Sequence, residues 1–545
     1  MPESNKRFHR MISGVIIQNF KGISERVEIE LRPLTLLFGT NGAGKSTVID
    51  AINVLEEILL ERHERRGKSI ERRLTERVGS IDNVIHGQDW SRQITLGITI
   101  HSYEDDFDYF SDFLTYTSDF KKATRAGIAD AKMPSFFSMG GLGGTEDATS
   151  LTVLVTIQKQ SAYSQNTLVP VAAIREVSLG VNGRELVKIS GPGVADGTIS
   201  EFEWQVDTDH PVLSDSVKRA GKRSFSVSAY QILPLPTEPP LVAGYCHNPD
   251  GTRLDDGDGP LALSLNIAIS ASLQAVDNEL KNHRRLGPMR IVPSPLFRPQ
   301  PSPGRDDWLN GQAAWDQLAY LKQDQLDEIN DWLGSDKLDT GIEVVQRLIL
   351  SASEWDASRD DPLLADKLSS SSARDVTLRP IPTKYGGTKA SETNLPPSQV
   401  GTGVSQLVPV VVACVNFSSK LLSIAQPELH LHPRLQVKLG DLFIDSVGED
   451  EDGRPNNQLI IETHSEHLIL RVLRRIRETS RRCAPDGFEL ASDDLIVYHV
   501  SQEEGHTRIR KYEVDSGGHF VLPWPDDFFE IDFYERFTTG DSDAE

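Results

Sequence analysis

Apolar and polar residues alternate in a way that predicts short strands and one long helix in the first hundred residues. Alternating runs on either side of a turn over 19–22 predict two strands, and a short apolar run before a glycine-rich segment predicts a buried third strand. Apolar residues then recur at helical spacing. The predicted elements are strands over 15–17, 27–31, 34–38 and 93–100 and a helix over 48–77.

The middle of the chain is predicted to be rich in strands at first and helical afterwards. A Ser/Pro/Gly-rich stretch over 368–397 predicts a linker or an ordered loop. No internal repeat is visible, and no heptad array is long enough for an extended coiled coil. The predicted elements are strands over 151–157, 172–179, 202–206 and 225–232 and helices over 261–285 and 311–356.

The last third of the chain returns to alternating helices and strands. An apolar helix is predicted over 404–422, followed by a strand, a helix, a strand at 459–461, a helix over 466–482 and a β-rich tail. Because α/β patterns stand at both ends, we expect an α/β fold with one sheet built from both ends of the chain. The predicted domains are two halves of one head, 1–101 and 391–545, and a mixed α/β insertion, 102–390.

The glycine-rich segment between the predicted strand 34–38 and the next helix has the pattern G-x-x-x-x-G-K-[ST]. Its glycines allow successive backbone N–H groups to point into one concavity, and the helix N-terminus adds the positive end of its dipole. Lys45 can reach the β- and γ-phosphates of a nucleotide, and the Ser46 hydroxyl can ligate Mg²⁺. We therefore predict a phosphate-binding loop formed by Gly39, Asn41, Gly42, Gly44, Lys45, Ser46 and Thr47.

Three later motifs follow this loop in the chain. Gly401, Gly403 and Ser405 precede or open an apolar helix, which predicts a second anion-binding element. The run from Leu421 to Pro433 contains a strand that ends in a polar residue, where a Walker B motif places groups that order a metal and activate water. A further strand leads directly to His464, and ligands of open α/β sheets bind beyond the carboxyl ends of strands.

The order of these motifs resembles that of the ABC-type ATPase heads of the SMC, RecF and OLD (overcoming lysogenization defect) superfamily. The run from Ile17 to Ile23 before the loop is part of that resemblance. The tail from Trp524 to Phe529 resembles the ending of standalone prokaryotic RecF-like ATPases, some of which, such as the ATPase subunit of Septu, serve antiphage systems. The resemblance covers roughly residues 12–55 and 395–530.

The resemblance implies a dimer of heads with ATP and Mg²⁺ between them. Lys21 would approach the nucleotide, and Gln88 would contact Mg²⁺ and the attacking water. His464 would sense the γ-phosphate. The residues expected to contact the γ-phosphate bound on the opposite subunit are Gly401, Gly403, Ser405 and Gln406.

The strand before Pro427 departs from the pattern of that superfamily. It should end in two polar residues, the first acidic, and this chain has Ala425 and Gln426. Alanine cannot order Mg²⁺, and an amide can orient water but cannot act as a base. Glu428 would compensate only in part, so the expected catalytic residues are Gln426, Glu428 and His464. Slow natural hydrolysis and an engineered replacement of an acidic residue by Ala425 both stay open.

Composition and charge limit which cellular compartment and which binding partners we expect for the protein. The net charge of −23 argues against a surface that is basic throughout, although nucleic-acid binding needs only a local patch. Three cysteines without metal or disulfide spacing, and no apolar segment of membrane-spanning length, predict a cytoplasmic protein. The basic stretches are Arg62, Arg65, Arg66, Lys68, Arg72, Arg73 and Arg77, and Arg471, Arg474, Arg475, Arg477, Arg481 and Arg482.

Three functions are compatible with these observations. The first is an ATP-dependent switch of prokaryotic defence that controls an effector nuclease in trans, because the residues after His464 are too few for the Toprim nuclease domain of OLD proteins. The second is a RecF-like ATPase that binds DNA in repair or maintenance. The third is a nucleotide-gated scaffold without turnover, which the pair Ala425 and Gln426 favours if it is natural.

Overall fold

The structure is a computed structural model, and it divides into two compact units. The first unit comprises Met1–Leu31, Asn41–Asn282 and Val500–Ile509, and the second comprises Arg32–Thr40, His283–His499 and Arg510–Glu545. The described residues are 11–60, 83–101, 150–164, 167–191, 200–211, 224–229, 246–247, 272–273, 275–349, 373–383, 393–415, 420–448, 457–485 and 487–524.

The first unit contains a nine-stranded antiparallel sheet and the helix that follows the glycine-rich segment. The strand order is β10-β9-β8-β7-β6-β5-β4-β1-β2, and the helix α1 contacts β1 and β4. Residues 275–281 are also helical. The elements are β1 (Met11–Gln18), β2 (Val27–Glu30), α1 (Ser46–Leu60), β4 (Ile94–His101), β5 (Ser150–Ser164), β6 (Thr167–Val181), β7 (Arg184–Ser190), β8 (Ser200–Val206), β9 (Ser224–Ala229) and β10 (Cys246–His247).

A six-stranded sheet has the order β11-β14-β15-β3-β16-β17. Its first four strands pair in parallel, and all four belong to the second unit. Strand β15 is buried along its whole length, as expected for a strand inside a parallel sheet. The strands are β3 (Leu34–Gly39), β11 (Arg284–Leu286), β14 (Lys420–Ala425), β15 (Asn457–Thr463), β16 (Leu495–Glu503) and β17 (His506–Tyr512).

Helices and a small antiparallel sheet complete the second unit. Its apolar core includes Trp315, Trp332 and Phe443, which are fully buried. Helix α4 is buried on all sides from Ser405 to Cys414, which explains its continuous apolar sequence. The elements are α2 (Gln312–Leu318), α3 (Gln323–Leu333), β12 (Ile342–Ile349), β13 (Ala373–Pro380), α4 (Thr402–Val415), α5 (Pro433–Val447) and α6 (Glu466–Ser480).

The predicted sheet built from both ends of the chain is confirmed. Strand β3 pairs with β15 in parallel, so an N-terminal strand lies inside a sheet of C-terminal strands. The four strands predicted in the first hundred residues and the helix predicted over 466–482 are also confirmed, within one or two residues for the helix. The boundaries predicted at residues 101 and 390 stay predictions.

Three predicted elements require correction. The helix predicted over 311–356 is wrong over 342–349, where the chain forms β12 and pairs with β13, and its residues 350–356 lie outside the described residues. Strand β13 also interrupts the linker predicted over 368–397. The helix predicted over 404–422 ends at Val415, and β14 begins at Lys420. The helix predicted over 48–77 is confirmed as α1 up to Leu60, and its residues from 61 onward lie outside the described residues.

No helix in the described part of the chain combines the length and the apolar character needed to cross a membrane.

Candidate functional site

Three neighbouring parallel strands end at one edge of the six-stranded sheet. Strand β15 pairs with β14 on one side and with β3 on the other, and its last residue, Thr463, lies opposite Phe38 of β3. The residues that follow these strands are Gln426 after β14, His464 after β15 and Thr40 after β3. Parallel strands bring their carboxyl ends to the same edge, which is where ligands of α/β sheets bind. The edge therefore assembles the predicted switch histidine, the Walker B-like residues and the start of the glycine-rich loop.

The glycine-rich loop has the backbone that a phosphate cradle needs. Gly42 and Gly44 have φ angles of +78° and +99°, which residues with a Cβ rarely adopt. The backbone N–H of Thr47 donates to the carbonyl of Gly44 at 3.0 Å, and α1 begins at Ser46. Because Lys45 stands directly before this helix, the loop combines backbone donors, a helix N-terminus and a cation. This geometry is suited to bind a chain of phosphates.

Lys21 belongs to a turn whose backbone is hydrogen-bonded to residues 84–86 of the first unit. Its φ angle is +50°, its N–H donates to Val84, and its carbonyl lies 2.9 Å from Nδ1 of His86. The Lys21 ammonium forms an ion pair of 2.5 Å with Asp50, which lies on α1 four residues after Ser46. Helical positions four apart share a face, so Asp50 holds Lys21 on the side of the helix that carries Ser46. Sequence reasoning missed Asp50, although its spacing from Ser46 could have indicated it.

Gln88 lies at the end of a single 3-10 turn, and its side chain is exposed. Its φ angle is +56°, and its N–H donates to the carbonyl of Ile85 at 3.2 Å. The turn begins at His86, which is buried and joined through its ring to the backbone of Lys21. The predicted role of Gln88 at Mg²⁺ stays a prediction.

The Walker B-like segment and His464 are linked by direct contacts within the second unit. Gln426 has a φ angle of +45°, and its amide Nε2 lies 3.3 Å from Nε2 of His464. The backbone N–H of His464 donates to Glu428 Oε1 at 2.6 Å. Burial raises the pKa of Glu428, and the hydrogen bond from His464 opposes that rise. The three predicted catalytic residues therefore lie together. The Glu428 carboxylate accepts a hydrogen bond from the backbone directly after β15.

Arg290 is a member of this group that sequence reasoning missed. Its side chain is buried, and Nη2 donates to the carbonyl of Ala425 at 2.8 Å and to that of Gln426 at 3.3 Å. Burial lowers the pKa of the guanidinium to about 10, so it stays charged at neutral pH. Within the described part of the chain, Nε and Nη1 of Arg290 have no acceptor. A buried cation with unused donors therefore stands at the end of β14, where the Walker B pattern expects a carboxylate.

The predicted second anion-binding element is placed at the start of α4. The Ser405 hydroxyl is buried and donates to the carbonyl of Pro397 at 3.0 Å, and the Gln406 side chain bonds the backbone N–H and carbonyl of Arg290. A Cβ at Gly403 would lie 2.7 Å from the carbonyl oxygen of His430, so only glycine fits there. In this structure Ser405 and Gln406 support the fold of their own subunit, and their contact with an opposite subunit stays a prediction.

The chain offers few oxygen ligands at the predicted Mg²⁺ position, so it would coordinate the ion only weakly. The Ser46 hydroxyl is one suitable oxygen, and residue 425 supplies no carboxylate. Mg²⁺ retains several waters and is usually held by one or two carboxylates together with substrate phosphates. We therefore expect the phosphates of a nucleotide to hold the ion, with Ser46 as a ligand from the chain.

Three of the six arginines in the second basic stretch, Arg471, Arg474 and Arg475, form ion pairs within α5 and α6. Asp441 is buried and accepts from Arg475 Nε at 2.8 Å and from Arg471 Nη2 at 3.0 Å. Arg475 also donates to Glu478 at 2.6 Å. The charge available to an external anion is thus smaller than the sequence indicates. The first basic stretch lies outside the described residues.

Replacing Asp441 with alanine is expected to lower the free energy of unfolding by about 3–5 kcal/mol, because two buried guanidinium groups would lose their shared carboxylate. Urea denaturation followed by circular dichroism measures this change. The control is Asp324→Asn on the exposed face of α3, for which we expect a change of at most about 0.5 kcal/mol. Equal unfolding midpoints for the two variants would contradict the assigned role of Asp441.

Comparisons with known proteins agree with an ATPase domain in two segments. Residues 11–101 and 310–469 match the family AAA_15, described as an AAA ATPase domain. The chain matches no curated protein.

Solved SMC head domains are similar to the chain at low TM-scores. One is an SMC head bound to the C-winged helix domain of ScpA, with a TM-score of 0.37 and 11% identity over 92% of this chain and 98% of that chain. Another is the Smc head domain with an extended coiled coil bound to the C-terminal domain of ScpA, derived from Pyrococcus furiosus. It has a TM-score of 0.37 and 11% identity, and the match covers 92% of this chain and 96% of that chain. The SMC head domain from Thermotoga maritima has a TM-score of 0.30 and 10% sequence identity. The match covers 92% of this chain and 99% of that chain.

With TM-scores this low, the class of the domain rests on the family match and on the geometry of the strand ends. The protein has a mixed α/β fold, and two separate segments of it are similar to an AAA ATPase domain. The expected α/β fold is thereby confirmed.

Proposed function

We propose that the protein is a cytoplasmic, SMC/RecF-like ATP-binding switch that works as a dimer or higher oligomer. The observation that carries this proposal is the shared edge of β3, β14 and β15, where the glycine-rich loop begins and where Gln426 and His464 follow neighbouring strands. The match of two separate segments to an ATPase domain supports it. ATP with Mg²⁺ is the expected ligand, because the loop offers donors for a phosphate chain.

Dimerisation through nucleotide is expected because the start of α4 offers a second anion-binding element. In the proposed dimer, the residues from Gly401 to Gln406 of one subunit contact the γ-phosphate held by the glycine-rich loop of the other. Gly401 is well placed for a test, because a Cβ added there meets no atom within 4 Å. A replacement at this position can therefore change the charge of the surface without a clash inside its own subunit.

The wild-type protein is expected to double its mass, or to form a higher oligomer, when ATP and Mg²⁺ are added, and to stay monomeric with ADP. Gly401→Glu is expected to bind ATP as a monomer, because a carboxylate at this surface repels the γ-phosphate of the other subunit. Gly401→Ala is the matched control and should still dimerise. Analytical ultracentrifugation measures the masses. Dimerisation of Gly401→Glu at wild-type ATP concentrations would contradict the proposed interface.

The finer role that we propose is that of a sensor or regulatory subunit in an antiphage defence system, which holds or releases an effector nuclease in trans. Its support is the resemblance of the motif order and of the tail to standalone RecF-like ATPases. Co-purification from the native operon, with and without ATP, tests this role. A protein that protects cells or cuts DNA without any partner would overturn it.

A nucleotide-gated scaffold without turnover is a second candidate, favoured by Ala425 and Gln426 at the end of β14. In this case ATP binding alone would drive assembly. An assay of ATP hydrolysis distinguishes the scaffold from the switch, because a scaffold assembles fully while releasing no phosphate. The RecF-like alternative, a DNA-binding ATPase, has weaker support because Arg471 and Arg475 share Asp441.

A further inference from the structure

Thr507 makes two hydrogen bonds to separate segments of the predicted nucleotide site. Its backbone N–H donates to the carbonyl of Gly22 at 2.8 Å, directly after Lys21. Its hydroxyl donates to the carbonyl of Ala43 at 3.1 Å, inside the glycine-rich loop. All these residues belong to the first unit. One residue near the C-terminal end of the chain therefore joins the Lys21 turn to the loop.

The approach of Thr507 explains two glycines in these segments. A Cβ at Gly44 would lie 2.5 Å from the Thr507 hydroxyl oxygen, and a Cβ at Gly22 would lie 2.1 Å from it. Such distances are far below ordinary contact, so the Thr507 side chain could not keep this position if Gly22 or Gly44 carried a Cβ. Gly44 is thus required by its contact with Thr507 as well as by its positive φ angle.

The residues on both sides of Thr507 also contact the surroundings of Lys21. The imidazole of His506 stacks on that of His86, with ring centroids 5.0 Å apart and an interplanar angle of 26°. His86 in turn contacts the carbonyl of Lys21 through its ring nitrogen. Arg508 lies 3.5 Å from Glu25. Two consecutive residues of β17, His506 and Thr507, therefore hold the turn and the loop in place.

We propose that Thr507 is a positioning residue that orients the Gly44 N–H for phosphate binding. In a trans peptide the C=O of one residue and the N–H of the next point in opposite directions. The hydroxyl of Thr507 binds the Ala43 carbonyl from one side of the loop, and this contact directs the Gly44 N–H to the other side. Backbone donors of such loops bind phosphate because they are held in one orientation before the ligand arrives. The inference rests on the proposed function, since it assumes that the loop binds ATP.

Thr507→Val is expected to weaken the binding of ATP about tenfold, because valine keeps the branched shape and loses the hydroxyl hydrogen bond. Thr507→Ser keeps the hydroxyl and is expected to bind within about twofold of wild type. Isothermal titration calorimetry with ATP measures the affinities, and inorganic triphosphate serves as a second probe that reports phosphate binding without the nucleoside. The loss should appear with both probes.

The matched control is Thr99→Val on β4. The Thr99 hydroxyl pairs with that of Thr152 at 3.0 Å, so the variant loses a comparable hydrogen bond in the nine-stranded sheet of the same unit. It is expected to bind ATP as wild type does. Urea unfolding of both valine variants measures their stability, and Thr507→Ala replaces Thr507→Val if the latter does not fold.

Wild-type affinity in a folded Thr507→Val or Thr507→Ala variant would overturn the inference and leave the proposed function intact. Equal losses of affinity in Thr507→Val and Thr99→Val would also overturn it, since general destabilisation would then explain both. A wild-type protein that binds neither ATP nor triphosphate would overturn the proposed function together with this inference.

Discussion

Replacing Lys45 with alanine is expected to weaken ATP binding by at least about a hundredfold, since charge-assisted hydrogen bonds to phosphate are among the stronger polar interactions. Lys45 stands between Gly44 and the first residue of α1, and it is buried. Alanine would remove the cation and leave the backbone donors of the loop in place. The residual affinity would then report the share contributed by those donors and by the helix N-terminus.

Isothermal titration calorimetry with ATP and Mg²⁺ measures this effect. The matched control is Lys188→Ala on β7, because the Lys188 side chain is partly exposed and pairs with Glu176 at 2.8 Å. We expect wild-type affinity for the control. A Kd for Lys45→Ala within about threefold of wild type would show that the loop is not the nucleotide site.

Replacing Ala425 with glutamate is expected to raise Mg²⁺-dependent ATP hydrolysis at least about tenfold, because a carboxylate at the end of β14 can help to order the ion. Arg290 supports this expectation. Its guanidinium already binds the carbonyl of Ala425, and its other buried N–H groups have no acceptor among the described residues. A nearby cation favours the ionised form of a carboxylate, so the new side chain would be charged at neutral pH.

Phosphate release under saturating ATP and Mg²⁺ measures turnover. Gln426→Glu and the double variant test whether the second position limits the rate as well, and we expect the double variant to be the fastest because it regains a possible base next to His464. Lys45→Ala in the double background is the control for contaminating ATPases. Equal and fast turnover in wild type and Ala425→Glu would contradict the proposal that residue 425 limits hydrolysis.

The same series tests whether Ala425 limits hydrolysis. Wild-type protein that assembles with ATP and releases no phosphate, together with an active Ala425→Glu variant, would fit a chain held in its nucleotide-bound state. Glu428 provides the remaining route to hydrolysis in wild type. Its Oε1 is already bonded to the His464 backbone, and burial raises its pKa, so we expect Glu428→Gln to change turnover less than Ala425→Glu does.

The local features of the site could be predicted from the order of residues along the chain. The glycine-rich loop, the strand before it and the helix after it depend on backbone preferences and spacing within about fifteen residues. The same holds for Gln426 and His464, which follow short apolar strands directly. Local patterns failed where an apolar run fits both a helix and a strand. The stretches over 311–356 and 404–422 were mistaken in part because pairing with distant strands decided between the two structures.

The positions of the supporting residues depended on contacts between segments far apart in the chain. Thr507 reaches Ala43, Gln406 holds the backbone of Arg290, and Asp50 holds Lys21. Thr507, Arg290 and Asp50 belong to none of the predicted motifs, and their contacts with motif residues follow from how the strands and helices pack. A side chain at one position has no preference in the sequence for a partner tens to hundreds of residues away, because that proximity exists only after the chain has folded.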